Sequence, residues 1–593
     1  MRPLVLLFVA IAAGACGLPG GDGGKEPGLP LDADRDGWAA GLDCDDGDPR
    51  VNPSRAEACN GLDDDCDGRV DDEDDALDLA TAAAWCADLD GDGFGDPEAV
   101  TLACAAPPGS VADCTDCLDT NHSVFPGAIR DDWENGYDDD CDGYVDEGAV
   151  YLGDFALWGW GVNLTGGYDD TGTAVTGAGD LDGDGYDDVL IGAPGDGGGG
   201  HYRGAVRVMY GPLRADQGLG DIDVSLGGAD DWDQAGSAVA GAGDVDGDGL
   251  ADVLVGVRRN EDGGPGAGAG YLLYGPPAGG ERSLADADAV LLGAEGHGLG
   301  EWVAAGGDVD DDDRDDLLLG CPGCDEAGAV WLLYGPLPPE PDLPADGVRL
   351  VGARAGDNAA IPGGAGDLDG DGLHDVLVGA PGNDDDGEDS GTVYVLCALP
   401  PAGSELSLAG PGVALTGEGA GDAAGSALAG AGDVDGDGHD DVLIGAPACD
   451  LAGEDAGAAY LLYGPIEADR SLSTADARLL GDGAYTLAGS SVAGAGDVDN
   501  DGHDDVLIGA PSARDCPAPG AVYLQYGPFT GELDLADADV RFVGGRDDHA
   551  GTSIAGAGDA DGDGHDDVLI GAPLEGDGER MGVVHLLHWG DMM

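Results

Sequence analysis

From residue 149 to the C-terminus, short apolar runs alternate with Gly-, Asp- and Pro-rich turns, and no stretch carries the 3.6-residue apolar stripe of an amphipathic helix. A small-residue run such as Ser237-Ala-Val-Ala-Gly241 leads into an acidic turn. A continuous apolar run such as Asp441-Val-Leu-Ile-Gly445 leaves it and stops at Gly-Ala-Pro, where Pro ends ladder pairing. Gly520-Ala-Val-Tyr-Leu-Gln-Tyr-Gly-Pro528 exemplifies the next run, and Ala538-Asp-Val-Arg-Phe-Val543 an alternating fourth one. Each unit predicts four strands joined by turns and no helix.

The acidic turn recurs seven times, beginning at Asp180, Asp244, Asp308, Asp367, Asp433, Asp497 and Asp559, with steps of 64, 64, 59, 66, 64 and 62 residues. Seven four-stranded sheets in series have a natural closed solution, a radial propeller in which only short edges remain; an open solenoid is the rival. The termini favour closure. An outer-type strand, Val162-Asn-Leu-Thr-Gly166, precedes the first turn, while the last unit ends on Val583-Val-His-Leu-Leu587, so the N-terminal strand is expected to complete the last blade. The predicted fold is all-β, a seven-bladed propeller over 149–593.

Asp at positions 1, 3 and 5 with Gly at position 6 converges hard oxygen ligands on one point, position 7 offers a backbone carbonyl and position 9 another carboxylate. The predicted ligand sets are Asp180, Asp182, Asp184, Tyr186 and Asp188; Asp244, Asp246, Asp248, Leu250 and Asp252; and Asp308, Asp310, Asp312, Arg314 and Asp316. Four more follow: Asp367, Asp369, Asp371, Leu373 and Asp375; Asp433, Asp435, Asp437, His439 and Asp441; Asp497, Asp499, Asp501, His503 and Asp505; and Asp559, Asp561, Asp563, His565 and Asp567. All-oxygen sets select calcium over zinc, so several Ca2+ ions are expected. At position 7 the carbonyl rather than the histidine ring is expected to serve. The third loop is the weakest, because Asp313 stands where the others have Gly.

Residues 31–148 form a different region, rich in Cys and Asp. Asp32, Asp34, Asp36 and Asp43 fit an EF-hand-like spacing with Asp in place of the closing Glu; Asp63, Asp65, Asp67 and Asp71, Asp88, Asp90, Asp92 and Asp96, and Asp138, Asp140, Asp142 and Asp146 form three more loops. Eight cysteines (Cys44, Cys59, Cys66, Cys86, Cys104, Cys114, Cys117 and Cys141) imply a disulfide framework of unassigned connectivity. Cys321-Pro-Gly-Cys324 reads as a local disulfide clip in preference to a redox or zinc motif.

Residues 1–15 read as a signal segment: Arg2, then an apolar run from Leu4 to Ala13 too short to span a bilayer. Ala13-Gly14-Ala15-Cys16 resembles a bacterial lipobox, with Ala13 where Leu is usual, which implies lipidation at Cys16; plain cleavage after Ala15 is the alternative. Residues 16–30 then form a flexible tether. The expected locations are the bacterial outer membrane or cell surface through the lipid, or the medium. The net charge of −99 repels phosphate backbones and anionic membranes, which excludes nucleic acid as a partner and leaves the lipid as the only membrane link.

The segment from Ala424 to Pro447, AGSALAGAGDVDGDGHDDVLIGAP, resembles the FG-GAP repeat of integrin alpha-chain propellers and related bacterial and phospholipase-associated propellers. The family's Phe-Gly is here Ala235-Gly236 or Ala488-Gly489, and the second unit replaces Gly-Ala-Pro with Gly256-Val257-Arg258. The resemblance implies calcium loops on one face of the ring and partner binding at the other. Glu57 to Asp74 is similar to the MopE-type metal-binding motif of bacterial surface proteins; its second copy, Glu134-Asn-Gly136, lacks the Cys. The functional expectation is a non-catalytic, monomeric adhesion or recognition protein with a protein or glycan ligand. The alternatives are a surface enzyme of lyase or phospholipase-associated type and a passive calcium-binding surface protein. There is no G-x-S-x-G and no zinc-type histidine pair, and Asp469-Arg-Ser471-Leu-Ser473 reads as an ordinary inter-blade segment rather than an adhesion metal site.

Overall fold

Small-residue runs precede apolar ones in every unit because the two occupy different radii of a ring. In a computed structural model the chain divides into two units, Met1–Ala149 and Val150–Met593. The described residues are 33–38, 42–45, 47–74, 77–89, 99–112 and 114 in the first, and 154–157, 162–197, 201–213, 222–277, 279–410, 412–512, 519–545, 548–574 and 581–588 in the second.

Among the described residues the second unit holds seven sheets, whose first three strands run in chain order from the inside outward. In the fifth these are Ala427–Gly432, Asp441–Ala446, Ala458–Leu462 and Ala477–Leu480, all antiparallel. Each innermost strand packs beside the innermost strand of the next sheet, and Ser553–Gly558 of the seventh returns to Val175–Gly179 of the first, which closes the ring. Crowding at the axis explains the Ala and Gly there: a Cβ on Gly241 would lie 2.8 Å from the Ala178 Cα of the preceding blade. Second and third strands are buried on both faces, between neighbouring blades, and so read as continuous apolar runs rather than alternating ones. The core accordingly lies between blades; Leu443 and Leu461 of the fifth pack with Val506, Ile508 and Tyr523 of the sixth.

Val162–Tyr168 pairs antiparallel with Met581–Leu587, so the N-terminal strand does complete the last blade. Two features depart from the four-strand, helix-free expectation. In five sheets a fifth strand, lent by the following unit, lies parallel to the outer edge, as Gly280–Ser283 on Val224–Gly227 and Arg470–Ser471 on Val413–Thr416. In these five sheets the connection into the next outer strand thus pairs with the neighbouring blade's open edge and covers it. These connections carry short 3-10 turns, Leu284–Asp286, Leu472–Thr474 and Leu535–Asp537, each capped by the preceding Ser or Asp side chain, and Leu343–Asp346 is a single α-helical turn. Ser471 is one of those caps and Asp469 Oδ1 accepts from Ala414 N–H, so the Asp469–Ser473 segment serves the fold.

In the first unit, Ala83–Ala87 pairs with Val100–Ala103 on one side and Ser110–Val111 on the other. Disulfides Cys44–Cys66, Cys59–Cys104 and Cys86–Cys114 tie its described loops together. Cys321 and Cys324 form the expected local clip in the third blade. The predicted signal segment, Cys16, Asp32, Asp90, Asp92, Asp96, Asp138, Asp140, Asp142, Asp146, Cys117 and Cys141 lie outside the described residues. No helix among the described residues is long and apolar enough to cross a membrane.

Candidate metal centres and the opposite face

Every acidic loop joins an innermost strand to the second strand, and its carboxylates are held by the turn itself. Asp180 Oδ1 accepts from the N–H groups of Gly183 and Asp184 at 2.6 and 3.1 Å, and its Oδ2 accepts from Gly185 at 3.0 Å. Asp182 Oδ1 accepts from Asp184 N–H and Asp184 Oδ1 from Tyr186 N–H, both at 3.1 Å. The same bonds recur in the loops at Asp244 and Asp367, so positions 1, 3 and 5 are aligned by the backbone. The third loop makes the same closure despite Asp313: its N–H donates to Asp308 Oδ2 at 2.9 Å with φ at 60°. A left-handed Asp costs about 1 kcal/mol, which the fold tolerates. Arg314 Nη1 lies 3.4 Å from Asp312 Oδ2 and partly neutralises that loop from within.

The position-9 carboxylates are fully buried. Asp505 Oδ2 accepts from Val498 N–H at 3.0 Å and Oδ1 from Gly527 N–H at 2.9 Å, which ties the loop to the end of the third strand. Burial pushes their carboxyls up to about 7 at Asp188, Asp252, Asp316, Asp441 and Asp505, and to about 6 at Asp375. Burial and like charge also raise position 3, as at Asp182, Asp246 and Asp310. Buried like charge of this kind is relieved by a proton or by a cation. The position-7 rings turn to the neighbouring blade, with His439 over Gly370 and His565 Nδ1 3.2 Å from the Val498 carbonyl.

Position 8, which the spacing argument passed over, joins the loops into a ring. Asp504 Oδ2 accepts from Asp433 N–H of the preceding blade at 2.8 Å, while its own N–H donates to the Asp433 carbonyl at 3.2 Å. Asp187, Asp315, Asp440 and Asp566 repeat the carboxylate contact on Asp559, Asp244, Asp367 and Asp497. The glycine before each loop makes room for it: a Cβ on Gly432 would lie 2.0 Å from Asp504 Oδ2. Ala251 and His374 occupy the two remaining junctions. The signal was present in the sequence as the Asp-Asp doublet.

The N-terminal loops share this geometry. Donor atoms of Asp34, Asp36 and Asp43 lie within 4.8 Å of one another. Gly68 N–H donates to Asp63 Oδ2, Asp67 N–H to Asp65 Oδ1 and Arg69 N–H to Asp67 Oδ1, as in the propeller. Asp71 is turned away and accepts from Asn60 and Gly61 N–H. Asp74, twelfth in that loop and missed by the sequence reading, is buried; burial first, and then the like charges of Asp67 and Asp74, raise Asp65. Asp88 ends the first strand of the small sheet and its N–H donates to the Gly109 carbonyl. Oδ2 of Asp36 and of Asp43 and Oδ1 of Asp63 are buried with no hydrogen-bond partner among the described residues, a state that costs a few kcal/mol and that a bound cation relieves. The donor set fits a metal ion.

Because the strands of a blade are antiparallel, the other connections emerge at the opposite end. There one turn position has its N–H bonded to the carbonyl of an adjacent loop in five blade junctions, and it is Gly296, Gly356 and Gly421 in three of them, with φ of 77°, 97° and 89°. In the other two it is Trp232 and Tyr485, at φ 76° and 64°, with more than half of each side chain exposed. Trp232 stacks on His201 and Tyr202, with ring centroids 5.7 and 5.3 Å away, and borders a pocket of about 590 Å3 with Asp230, Asp231, Arg258, Arg259 and Asp262.

The FG-GAP repeat family matches residues 171–209, 363–396, 424–462, 488–524 and 550–587, which leaves the second and third units unmatched. The family described as "Putative metal-binding motif", of the MopE type, matches 43–72 and 116–147. Among curated proteins the chain is similar to integrin alpha pat-2 of Caenorhabditis elegans, 30% identical over 36% of this chain and 18% of that protein. It is likewise similar to integrin alpha-5 of Xenopus laevis (33%, over 24% of this chain and 14% of that one) and integrin alpha-IIb of Homo sapiens (35%, over 25% and 14%). The chain thus spans less than a fifth of the length of each of these relatives. Five segments of the chain thus match FG-GAP repeats and two match the MopE-type motif, and over part of its length the chain is similar to integrin alpha chains.

Proposed function

We propose that this is an exported, non-catalytic recognition protein: calcium in the acidic loops stiffens one face of the ring, and a glycan binds at the other. The observation that carries the recognition reading is Trp232. A bulky side chain in the left-handed region, at a position where three other blades place glycine, is strained, and more than half of it stays exposed. Strain of this kind persists where a function requires the side chain. An exposed indole offers a flat apolar face to the C–H face of a sugar ring, and the carboxylates and guanidinium groups around it suit sugar hydroxyls. The pocket volume is within the range of small-ligand sites. Calcium is favoured by the loops' oxygen-only donors and their backbone-aligned carboxylates. Homology to integrin alpha chains supports adhesion or recognition and an extracellular location.

The test is a glycan array and a pull-down from cell-surface protein extracts, each with calcium and with chelator, using the full chain and Trp232→Ala. Glycan binding lost in the variant supports the proposal. Binding only in the protein pull-down shifts the ligand class, and no binding in either leaves a passive surface protein.

A further inference from the structure

In five blades a tyrosine directly follows the third strand: Tyr210, Tyr274, Tyr334, Tyr463 and Tyr526. The hydroxyls of Tyr210, Tyr274 and Tyr334 donate to backbone carbonyls of Pro277, Leu337 and Pro400 in the next blade at 2.8, 3.4 and 2.8 Å, and Tyr463 does the same to Phe529. The tyrosine therefore runs past its own acidic loop to a neighbour. In the fourth and seventh blades the same position is Cys397 and His588, which are shorter and end at the loop instead.

His588 Nδ1 lies 3.2 Å from Asp561 Oδ2 and 3.2 Å from Asp567 Oδ2, at positions 3 and 9 of the seventh loop. The imidazole and Asp567 are buried, while Asp561 is partly exposed. Cys397 carries no disulfide, and its sulfur lies with donor oxygens of Asp369 and Asp375, positions 3 and 9 of the fourth loop, all within 4.8 Å of one another. A tetrahedral ion with bonds of about 2.0–2.1 Å sets its N and O ligands roughly 3.3 Å apart, close to the separations around His588. Calcium prefers oxygen alone, whereas imidazole and thiolate favour zinc-class ions.

We propose that the ring carries two kinds of metal site: five oxygen-only loops, and two, at Asp561/Asp567/His588 and Asp369/Asp375/Cys397, that take a borderline divalent ion of the zinc class. The proposal rests on the reading that the loops hold cations and assigns the ion to two of them. Its rival is an internal ion pair, with protonated His588 standing in for the metal and the Cys397 thiol bonded to a carboxylate.

The full chain, stripped with chelator and returned to excess calcium, is titrated with Co2+ as a spectroscopic probe. Cobalt should persist at both sites under calcium, with tetrahedral d–d bands and a sulfur-to-cobalt charge-transfer band. His588→Tyr and Cys397→Tyr install the residue of the other five blades; each should remove one bound ion, and Cys397→Tyr should also abolish the charge-transfer band. His588→Gln and Cys397→Ser, smaller changes, should weaken cobalt binding at least tenfold should the tyrosines fail to fit. Cobalt stoichiometry and spectrum unchanged in all four variants, or complete displacement of cobalt by equimolar calcium, would overturn the proposal. Calcium-dependent melting of the double tyrosine variant reports on the other five loops separately, so the calcium reading can fail while the cobalt result stands, and the reverse.

Discussion

The two ends of the blades obey opposite rules. At the acidic end, seven loops share one turn, with the position-9 carboxylate buried beneath it and a doublet Asp tying five loops to their neighbours. At the other end the same scaffold position is Gly421 in one turn and Trp232 or Tyr485 in others. Uniformity marks what the ring needs in order to stand, and the variable end is where we propose that a partner is read. Changes at the acidic end should therefore move stability, and changes at the other end should move binding.

The largest expected effect is metal removal. A ligand held only by the native state stabilises it by about 2.7 kcal/mol per site at a hundredfold excess over Kd, so several loops acting together should bring a fall in Tm well beyond 10 °C on chelation. Scanning calorimetry with calcium and with chelator measures it, and an unchanged Tm would remove the acidic end from the stability account. The chelated protein should also respond to pH. Five position-9 carboxyls, Asp188 and Asp505 among them, are raised from an ordinary 3.8 to about 7 in the folded chain, so their contribution is fully present below about 4 and is lost as pH rises through 7. With calcium the slope should flatten or reverse, because the ion replaces the proton.

Next in size is Asp505→Ala in chelator. It orphans the buried N–H groups of Val498 and Gly527, at a cost of about 2–4 kcal/mol read from urea unfolding. Asp504→Ala removes one inter-blade bond and should cost about 1–2 kcal/mol, with a few-fold loss of calcium affinity in the loop at Asp433, whose N–H it holds. A larger effect for Asp504 than for Asp505 would invert the ranking.

How far the residues alone reached follows the same division. The seven loops, the continuous apolar second strands and the N-terminal strand that completes the last blade were legible because each depends on local spacing or on burial of one run. Position 8 was not, because its partner lies some 70 residues away: Asp504 and Asp433 are joined only by ring closure. The fifth strands were hidden for a similar reason, since Arg470–Ser471 pairs with the preceding blade's edge and two residues carry no strand pattern. The loop spacing took in Asp71 and not Asp74, whereas Asp71 turns to Asn60 and Gly61. Trp232 went unremarked because exposure and φ are invisible in sequence, although alignment with Gly296, Gly356 and Gly421 was available.

Trp232→Gly should have the smallest effect on stability and sharpens the comparison most. Glycine relieves a left-handed conformation that costs about 1–2 kcal/mol, but its unfolded chain is freer and the stack on His201 and Tyr202 is lost. The net change should lie within about 1 kcal/mol of zero. Trp232→Ala keeps the strain and loses the same ring, so it should be the less stable of the two while binding is abolished in both. A Trp232→Gly protein that is unchanged in melting but silent on the glycan array would show the opposite end to be dispensable for folding. If it instead unfolded several kcal/mol more easily, the indole would be a structural wedge between the first and second blades, and the division between the two ends would fail at that point.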